Sequence, residues 1–261
     1  MIQTFNVVTR GRVIQMLLDI ELGRLFSDQV LAHYLRHHEI PEPEFVHLLF
    51  RALKPGDTAV DAGANVGFFT ILMSKLVGPK GHVVAIEPDS RNLVVLRKNL
   101  DINDCKNVEI IDQPLGAESG ALMYFHEDDE NGQSHVAATG TPCRAITLAD
   151  ILDHHVPALL KLDIEGSEYE AIRGLDEYPH RIPTIVAEVN PAALKRVDSS
   201  PKELIGELFY RGYMPHELRV DGGLPAHINH RHQEIRIVRP NTNMLFCSMG
   251  TLARLWPEVE L

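Results

Sequence analysis

The chain has 261 residues, 44% of them hydrophobic, which is enough for one good-sized core in one or at most two domains. This composition excludes a disordered or fibrous protein. The 25 basic and 36 acidic side chains give a formal net charge of -11, with no basic run. Because such a surface repels phosphates, nucleic acid and anionic membranes are disfavoured as partners and a small molecule is favoured.

The three cysteines, Cys105, Cys143 and Cys247, are far apart and show no spacing typical of a zinc knuckle. This pattern favours reduced thiols over a disulfide framework. No run of about eighteen apolar residues is present, and residues 1–24 mix charged with aliphatic side chains, unlike a signal peptide. We therefore expect a soluble protein of the cytoplasm.

Apolar side chains recur every three or four residues in the first part of the chain, which predicts short amphipathic helices up to about residue 54. The pattern consists of Val13, Met16, Leu17 and Ile20, then Leu31 and Leu35, then Phe45, Leu48, Leu49 and Leu53. We expect residues 1–53 to form an N-terminal helical extension and residues 54–261 to form the main domain.

From Lys54 onward, short apolar runs alternate with segments of helical spacing, which is typical of a parallel sheet with right-handed crossovers. The predicted strands lie at residues 58–60, 82–87, 108–111, 158–164, 184–189, 232–238 and 243–249. The predicted helices lie at residues 68–77, 89–100 and 201–210, after Thr147, and after Ser167, which forms a capping box with Glu170. The sequence therefore predicts an α/β fold with a mostly parallel, seven-stranded sheet.

The alternation is interrupted between Gly116 and Thr147. Residues 121–125 and 135–138 flank an acidic tip that contains the pair Asn131-Gly132, which is typical of hairpin turns. We expect a hairpin near the mouth of the sheet.

Asp61, Gly63, Asn65 and Gly67 form a glycine-rich turn between the first strand of the alternation and its helix. Ligands of doubly wound folds bind at this point. The glycine that a dinucleotide fingerprint needs is replaced by Asn65, and Asp61 would repel a pyrophosphate but suit an ammonium or a sulfonium. The alternative is a tight turn that binds nothing.

Glu87 ends the second strand, and a carboxylate there can accept hydrogen bonds from both hydroxyls of a ribose. The turn and Glu87 together predict an adenosine-type ligand. The acidic Asp61 favours S-adenosylmethionine over a nicotinamide dinucleotide.

Lys161, Asp163 and Glu165 alternate with apolar residues, which places them on one side of a predicted central strand. Isolated charges there would be costly, so these side chains need partners. We expect Asp163 to face the same crevice as Gly63. A charge network that only fixes the strand end is the alternative.

These residues resemble the FkbM-type methyltransferases over roughly residues 54–190. The matching segments are VDAGANVGFFTILMSKLVGPKGHVVAIEPDSRNLVVLRKNL, NVEIIDQPLG, ITLADIL and LLKLDIEGSEYEAIRGL. The resemblance implies a class I methyltransferase (Rossmann-like) sheet, S-adenosylmethionine as methyl donor, and a hydroxyl oxygen of a sugar or natural product as acceptor.

We predict catalytic roles for Asp163, Lys161 and Glu165, with Asp163 as the base and His135 as the alternative base. The predicted cofactor-binding residues are Asp61, Gly63, Ala64, Asn65, Gly67, Glu87, Pro88, Asp112, Gln113 and Asp163. A magnesium ion on Asp163, Glu188 and Asn190 is an alternative arrangement, but no metal is predicted. His33 and His37 have the spacing of a zinc pair, yet they lack the accompanying glutamate, so surface residues are favoured.

The sequence thus predicts an S-adenosylmethionine-dependent O-methyltransferase that acts on a small molecule or carbohydrate and not on nucleic acid or membranes. A homodimer is among the oligomeric states that remain open. Two other functions remain open as well. One is a nucleotide-dependent oxidoreductase or epimerase of Rossmann-like fold, and the other is a non-catalytic S-adenosylmethionine-binding module.

Overall fold

The computed structural model of the protein describes residues 2–9, 12–19, 40–126, 134–153, 155–228 and 242–258. Within these ranges, no helix has the length and apolar character needed to cross a membrane. The strands are β1 (Ile2–Thr9), β2 (Arg12–Asp19), β3 (Thr58–Ala62), β4 (His82–Ile86), β5 (Val108–Ile111), β6 (Leu122–His126), β7 (His135–Ala137), β8 (Thr141–Arg144), β9 (Leu159–Leu162), β10 (Thr184–Val189), β11 (Met214–Glu217), β12 (Ala226–His227) and β13 (Thr242–Cys247). The helices are α1 (Pro43–Ala52), α2 (Phe68–Val77), α3 (Ser90–Ile102), α4 (Leu148–Leu152), α5 (Glu168–Arg173), α6 (Pro191–Arg196), α7 (Pro201–Tyr210) and α8 (Met249–Leu255).

The main sheet has the strand order β12-β11-β13-β10-β9-β3-β4-β5. Strands β5, β4, β3, β9 and β10 are parallel, whereas β13 is antiparallel to both β10 and β11. The mostly parallel α/β sheet is therefore confirmed. The two-residue strand β12 lies beyond the seven expected strands, at one edge of the sheet.

Both faces of the sheet are covered by apolar cores, as a parallel sheet requires. Ala59 of β3 packs into one core with residues of α1 and α2, and its neighbour Val60 packs into the other with residues of α5 and α7. This burial fixes the register, in which Ala62 pairs with both Ile86 and Leu162. The residues that follow these strand ends therefore meet at one carboxyl edge.

The helix expected at residues 13–20 is wrong, because β1 and β2 form an antiparallel hairpin. Asn103 of α3 accepts a hydrogen bond from the amide of Leu17 and donates one to its carbonyl, which ties the hairpin to the domain. Met16 is buried, whereas Gln15 is exposed, so the segment has the alternation of a strand. The apolar spacing fits both structures, and tertiary contacts decide between them.

The helix expected around residues 45–53 is confirmed as α1, and Phe45, Leu48 and Leu49 are fully buried in it. The predictions for Leu31, Leu35, His33 and His37 lie outside the described residues. The domain boundary between residues 53 and 54 stays a prediction.

The expected hairpin is confirmed, since β6 and β7 pair antiparallel, and a third strand, β8, adds to it unpredicted. Its tip lies outside the described residues, as does the strand expected at 232–238. The position next to β13 is occupied by β11, which the sequence analysis missed. Pro215 and His216 in β11 give it a weak strand signal.

Candidate active site

The glycine-rich turn lies directly against the end of β9. Gly63 has a φ of 80°, and a Cβ atom at this position would lie 1.8 Å from the carbonyl oxygen of Asp163. Only glycine permits so close an approach. The turn and Asp163, which were predicted to share one crevice, are therefore adjacent.

Gly67 serves the packing of the turn on α3. Its φ is 93°, and a Cβ atom there would lie 2.7 Å from Cδ1 of Leu96. Asn99 of the same helix donates a hydrogen bond to the carbonyl of Val66 over 2.8 Å. The side chain of Leu96 thus fills the space beside Gly67. Contact between Gly67 and the cofactor stays a prediction.

Glu87 is 5% exposed and holds the loops on both sides of it. Its Oε2 accepts a hydrogen bond from the amide of Asn65 over 2.7 Å, and its Oε1 accepts one from the amide of Asp89 over 2.9 Å. Burial raises the pKa of Glu87 to about 7, against the effect of these hydrogen bonds. The predicted partners Asn65 and Glu87 therefore meet at the carboxyl edge.

We expect Glu87→Ala to weaken binding of S-adenosylmethionine by about 1.5–3 kcal/mol, because charge-assisted hydrogen bonds to the ribose hydroxyls are lost. Calorimetric titration of the folded variant measures the effect. Glu109→Ala, at an exposed position of β5, is the matched control. An unchanged dissociation constant would make Glu87 a structural residue only.

Lys161 is the centre of a buried charge network. Its Nζ lies 3.3 Å from the carbonyl oxygen of Gly63, 3.1 Å from Oδ2 of Asp163 and 3.5 Å from Oδ1 of Asp61. Burial lowers the pKa of Lys161, but the neighbouring carboxylates outweigh burial and raise it above its usual range. Asp61 is fully buried and accepts a hydrogen bond from Thr70 over 2.6 Å. The network joins the glycine-rich turn to the end of β9.

The expected alternation of Lys161, Asp163 and Glu165 on one strand is wrong for Glu165. Strand β9 ends at Leu162, and Glu165 has a left-handed backbone with a φ of 55°. Its carboxylate pairs with Arg196 of α6 over 3.2 Å. The chain turns before the alternation can bring Glu165 beside Lys161, and a catalytic role for Glu165 stays a prediction.

The capping box expected from Ser167 and Glu170 is also wrong, because Ser167 makes no side-chain cap hydrogen bond. Instead Glu168, which is 1% exposed, accepts hydrogen bonds from the amides of Ile164 and Gly166. These bonds hold the turn that follows Asp163. The buried carboxylate of Glu168 was missed, since its partners are amides that have no sequence signal.

Two further acidic side chains lie near Asp163. Glu188 follows Ala187, the partner of Leu162 in the ladder, and it pairs across the sheet with Asn243. Asn243 in turn donates a hydrogen bond to Glu42 over 2.7 Å. Burial and the charge of Asp163 raise the pKa of Glu188 to about 9 and that of Glu42 to about 7. Glu42 was missed because it is distant in the sequence from the motifs.

One residue of the alternative magnesium site, Asn190, serves another contact. Asn190 caps α6 by accepting hydrogen bonds from the amides of Ala192 and Ala193. Among the residues that the structure describes, no group of three or more His, Cys, Asp or Glu side chains is placed to hold a metal ion.

We expect the free energy of unfolding to fall as the pH rises from about 5 to 9, partly because of Glu188. Its pKa is about 9 when folded, against 4.5 for the ordinary group, so the folded state binds the extra proton in this range. One such group contributes at most about 1.4 kcal/mol per pH unit. Denaturant unfolding across this range should show a smaller decline for Glu188→Gln. The control is Glu118→Gln at an exposed position, and equal slopes for both variants would contradict the assignment.

The remaining predicted residues lie around the mouth of the sheet. Asp112 is exposed after β5, and Gln113 donates a hydrogen bond to the carbonyl of Arg144 over 3.2 Å. Ala64 is buried in the glycine-rich turn, and Pro88 is half-buried beside Glu87. His135 lies on β7 opposite His126, with ring centroids 5.5 Å apart. For Asp112, Gln113, Ala64 and Pro88, contact with the cofactor stays a prediction.

The strand order, the glycine-rich turn after β3 and the acidic residue after β4 are those of the class I methyltransferase (Rossmann-like) fold. The chain belongs to the FkbM methyltransferase family, because the model of the methyltransferase FkbM domain matches residues 61–215. This match confirms the predicted family and, with it, S-adenosylmethionine as the cofactor.

Two similar curated proteins are named as methyltransferases. Methyltransferase 1 of Beauveria bassiana is 26% identical over 185 residues, which are 57% of this chain and 74% of that protein. Methyltransferase sdnD of Sordaria araneosa is 26% identical over 156 residues, 45% of this chain and 60% of that protein. Among solved structures, the methyltransferase FkbM of Methylobacillus flagellatus is 20% identical, with a TM-score of 0.45 over 87% of this chain and 57% of that one.

Proposed function

We propose that the protein transfers a methyl group from S-adenosylmethionine to a hydroxyl oxygen of a small molecule or carbohydrate. One observation carries the proposal: the Lys161 ammonium lies 3.1 Å from the carboxylate of Asp163 and 3.3 Å from the carbonyl of Gly63. The residue that accepts a proton and the turn that holds the cofactor therefore belong to one network.

The side chains at the carboxyl edge fit this cofactor. Two groups offer acceptors for ribose hydroxyls: the carboxylate of Glu87, and the buried Oδ1 of Asn65, which has no partner within the described part of the chain. The carboxylate of Asp163 and the partly ionised Glu42, whose pKa is about 7, make the edge acidic, which suits a positive ligand. When bound, the cofactor supplies a methyl group that is activated by a positively charged sulfur.

Methylation of a hydroxyl releases its proton, and Asp163 is the residue that we assign to accept it. Lys161 fixes Oδ2 of this carboxylate, and the amide of Asp163 donates a hydrogen bond to Ala62 of β3. Positioning of the two reactants can lower the barrier by about 7–11 kcal/mol, and a base adds about 10²–10⁴-fold. Since the pKa of Glu188 is about 9, its carboxyl group holds a proton at neutral pH and can donate a hydrogen bond to the acceptor.

A methyl donor labelled with ¹³C tests the proposal directly. The protein is incubated with the labelled donor and a metabolite extract of the organism that makes it, and the products are analysed by NMR. We expect a new methoxyl carbon signal. Label on nitrogen would overturn the hydroxyl acceptor, and no transfer to any fraction would favour a non-catalytic binding module.

Family membership supports methyl transfer over the oxidoreductase or epimerase that the sequence left open. The acidic charge supports an acceptor other than nucleic acid. The cytoplasmic location and a homodimer stay predictions.

A further inference from the structure

Asn65 and Asn92 both contact Glu87, and each has a buried amide oxygen, Oδ1, that lacks a hydrogen-bond partner among the residues that the structure describes. Asn92 lies in the first turn of α3 and is only 4% exposed. Most buried polar atoms in folded proteins are hydrogen-bonded, so an unpaired acceptor needs an explanation. A ligand that brings its own donor is one.

The two asparagines flank the carboxylate of Glu87. Asn65 donates its backbone amide to Oε2 over 2.7 Å, and Asn92 directs its Nδ2 at Oε1 from 3.4 Å. One N–H of the Asn92 amide is directed at Glu87, and the unpaired oxygen of the same amide is the acceptor that this side chain can offer a ligand. The carboxylate of Glu87 and the unpaired oxygen of Asn92 together offer two acceptors, which matches a ligand with two adjacent hydroxyl donors.

We propose that Asn92 is a further cofactor-binding residue, whose Oδ1 accepts a hydrogen bond from a ribose hydroxyl of S-adenosylmethionine beside Glu87. The inference rests on the proposed function. The sequence alone does not single out Asn92, because a helical asparagine five residues after Glu87 has no motif of its own.

The test compares three ligands by calorimetry: S-adenosylhomocysteine and its 2′-deoxy and 3′-deoxy analogues. For the wild-type protein, removal of the contacted hydroxyl should weaken binding about 10-fold. Asn92→Ala should weaken the binding of S-adenosylhomocysteine by about the same factor. The variant should bind the analogue that lacks the contacted hydroxyl within about two-fold of the wild type, since that hydrogen bond is already absent.

Asn99→Ala is the matched control, because Asn99 lies two turns further along α3 and bonds the carbonyl of Val66. Its substitution should leave the ratios among the dissociation constants of the three ligands unchanged. If Asn92→Ala does not fold, Asn92→Ser is measured in its place, with the same expected result.

Equal weakening of all three ligands by the Asn92 variant would show a structural role and overturn the inference. Unchanged binding of S-adenosylhomocysteine would overturn it as well. Both outcomes leave the proposed function standing, whereas a wild-type protein that binds none of the ligands would overturn the proposed function and the inference together.

Discussion

Asp163→Asn is expected to lower the turnover number about 100-fold or more, with the dissociation constant of S-adenosylmethionine nearly unchanged. The substitution keeps the shape of the side chain and a hydrogen-bond acceptor for Lys161, which lies 3.1 Å from Oδ2. It removes the group that takes the hydroxyl proton. Turnover is measured on the acceptor that the labelled-donor experiment identifies, and affinity is measured by calorimetry.

The matched control for this prediction is Asp101→Asn, on the exposed face of α3, which should retain wild-type turnover. Wild-type turnover in Asp163→Asn would move the role of base to His135 or exclude a base. Strong activation by added magnesium, or loss of wild-type activity with a chelator, would favour the alternative metal arrangement at Asp163, Glu188 and Asn190.

Lys161→Met is expected to lower the free energy of unfolding by about 3–5 kcal/mol, because one partner of a buried ion pair is removed. Asp61 is fully buried, and its carboxylate would lose the ammonium that lies 3.5 Å away. The Lys161 side chain is 3% exposed, so water cannot replace it as a partner. Denaturant unfolding at neutral pH measures the loss.

Lys106→Met is the control for the loss of a lysine charge as such. Its side chain is 86% exposed beside Asp104, so water screens this pair and its loss should leave the free energy of unfolding nearly unchanged. A loss below about 1 kcal/mol for Lys161→Met would contradict the buried network, since the two lysines would then behave alike.

The parts of the fold that the sequence predicts best are those with strong local signals. Three segments carry such signals: the glycines around Asn65, the strand that ends before Glu87, and the apolar strand before Asp163. In each segment, a periodic run of apolar residues adjoins a turn residue. Parallel pairing then brings the strand ends to one edge, so the pairing of Ala62 with Leu162 follows from the fold class. The central part of the site was therefore predictable.

The missed features depend on contacts between distant parts of the chain. The hairpin at Met16 has apolar spacing that a helix also allows, and Asn103, far along the sequence, holds it in place. Glu165 leaves the strand through a left-handed turn, which alternation does not reveal. Glu42 is linked to the site because it accepts a hydrogen bond from Asn243, which lies far from it in the sequence. No local pattern encodes such partners.

The central claim is that the edge formed by Gly63, Glu87 and Asp163 binds S-adenosylmethionine, and calorimetric titration of the wild-type protein tests it most directly. The protein is titrated in parallel with S-adenosylmethionine and with NADH at the same concentrations. We predict saturable one-to-one binding of S-adenosylmethionine and none of NADH, because Asp61 and Asn65 replace the features that a pyrophosphate needs. Saturable binding of NADH without binding of S-adenosylmethionine would contradict the account.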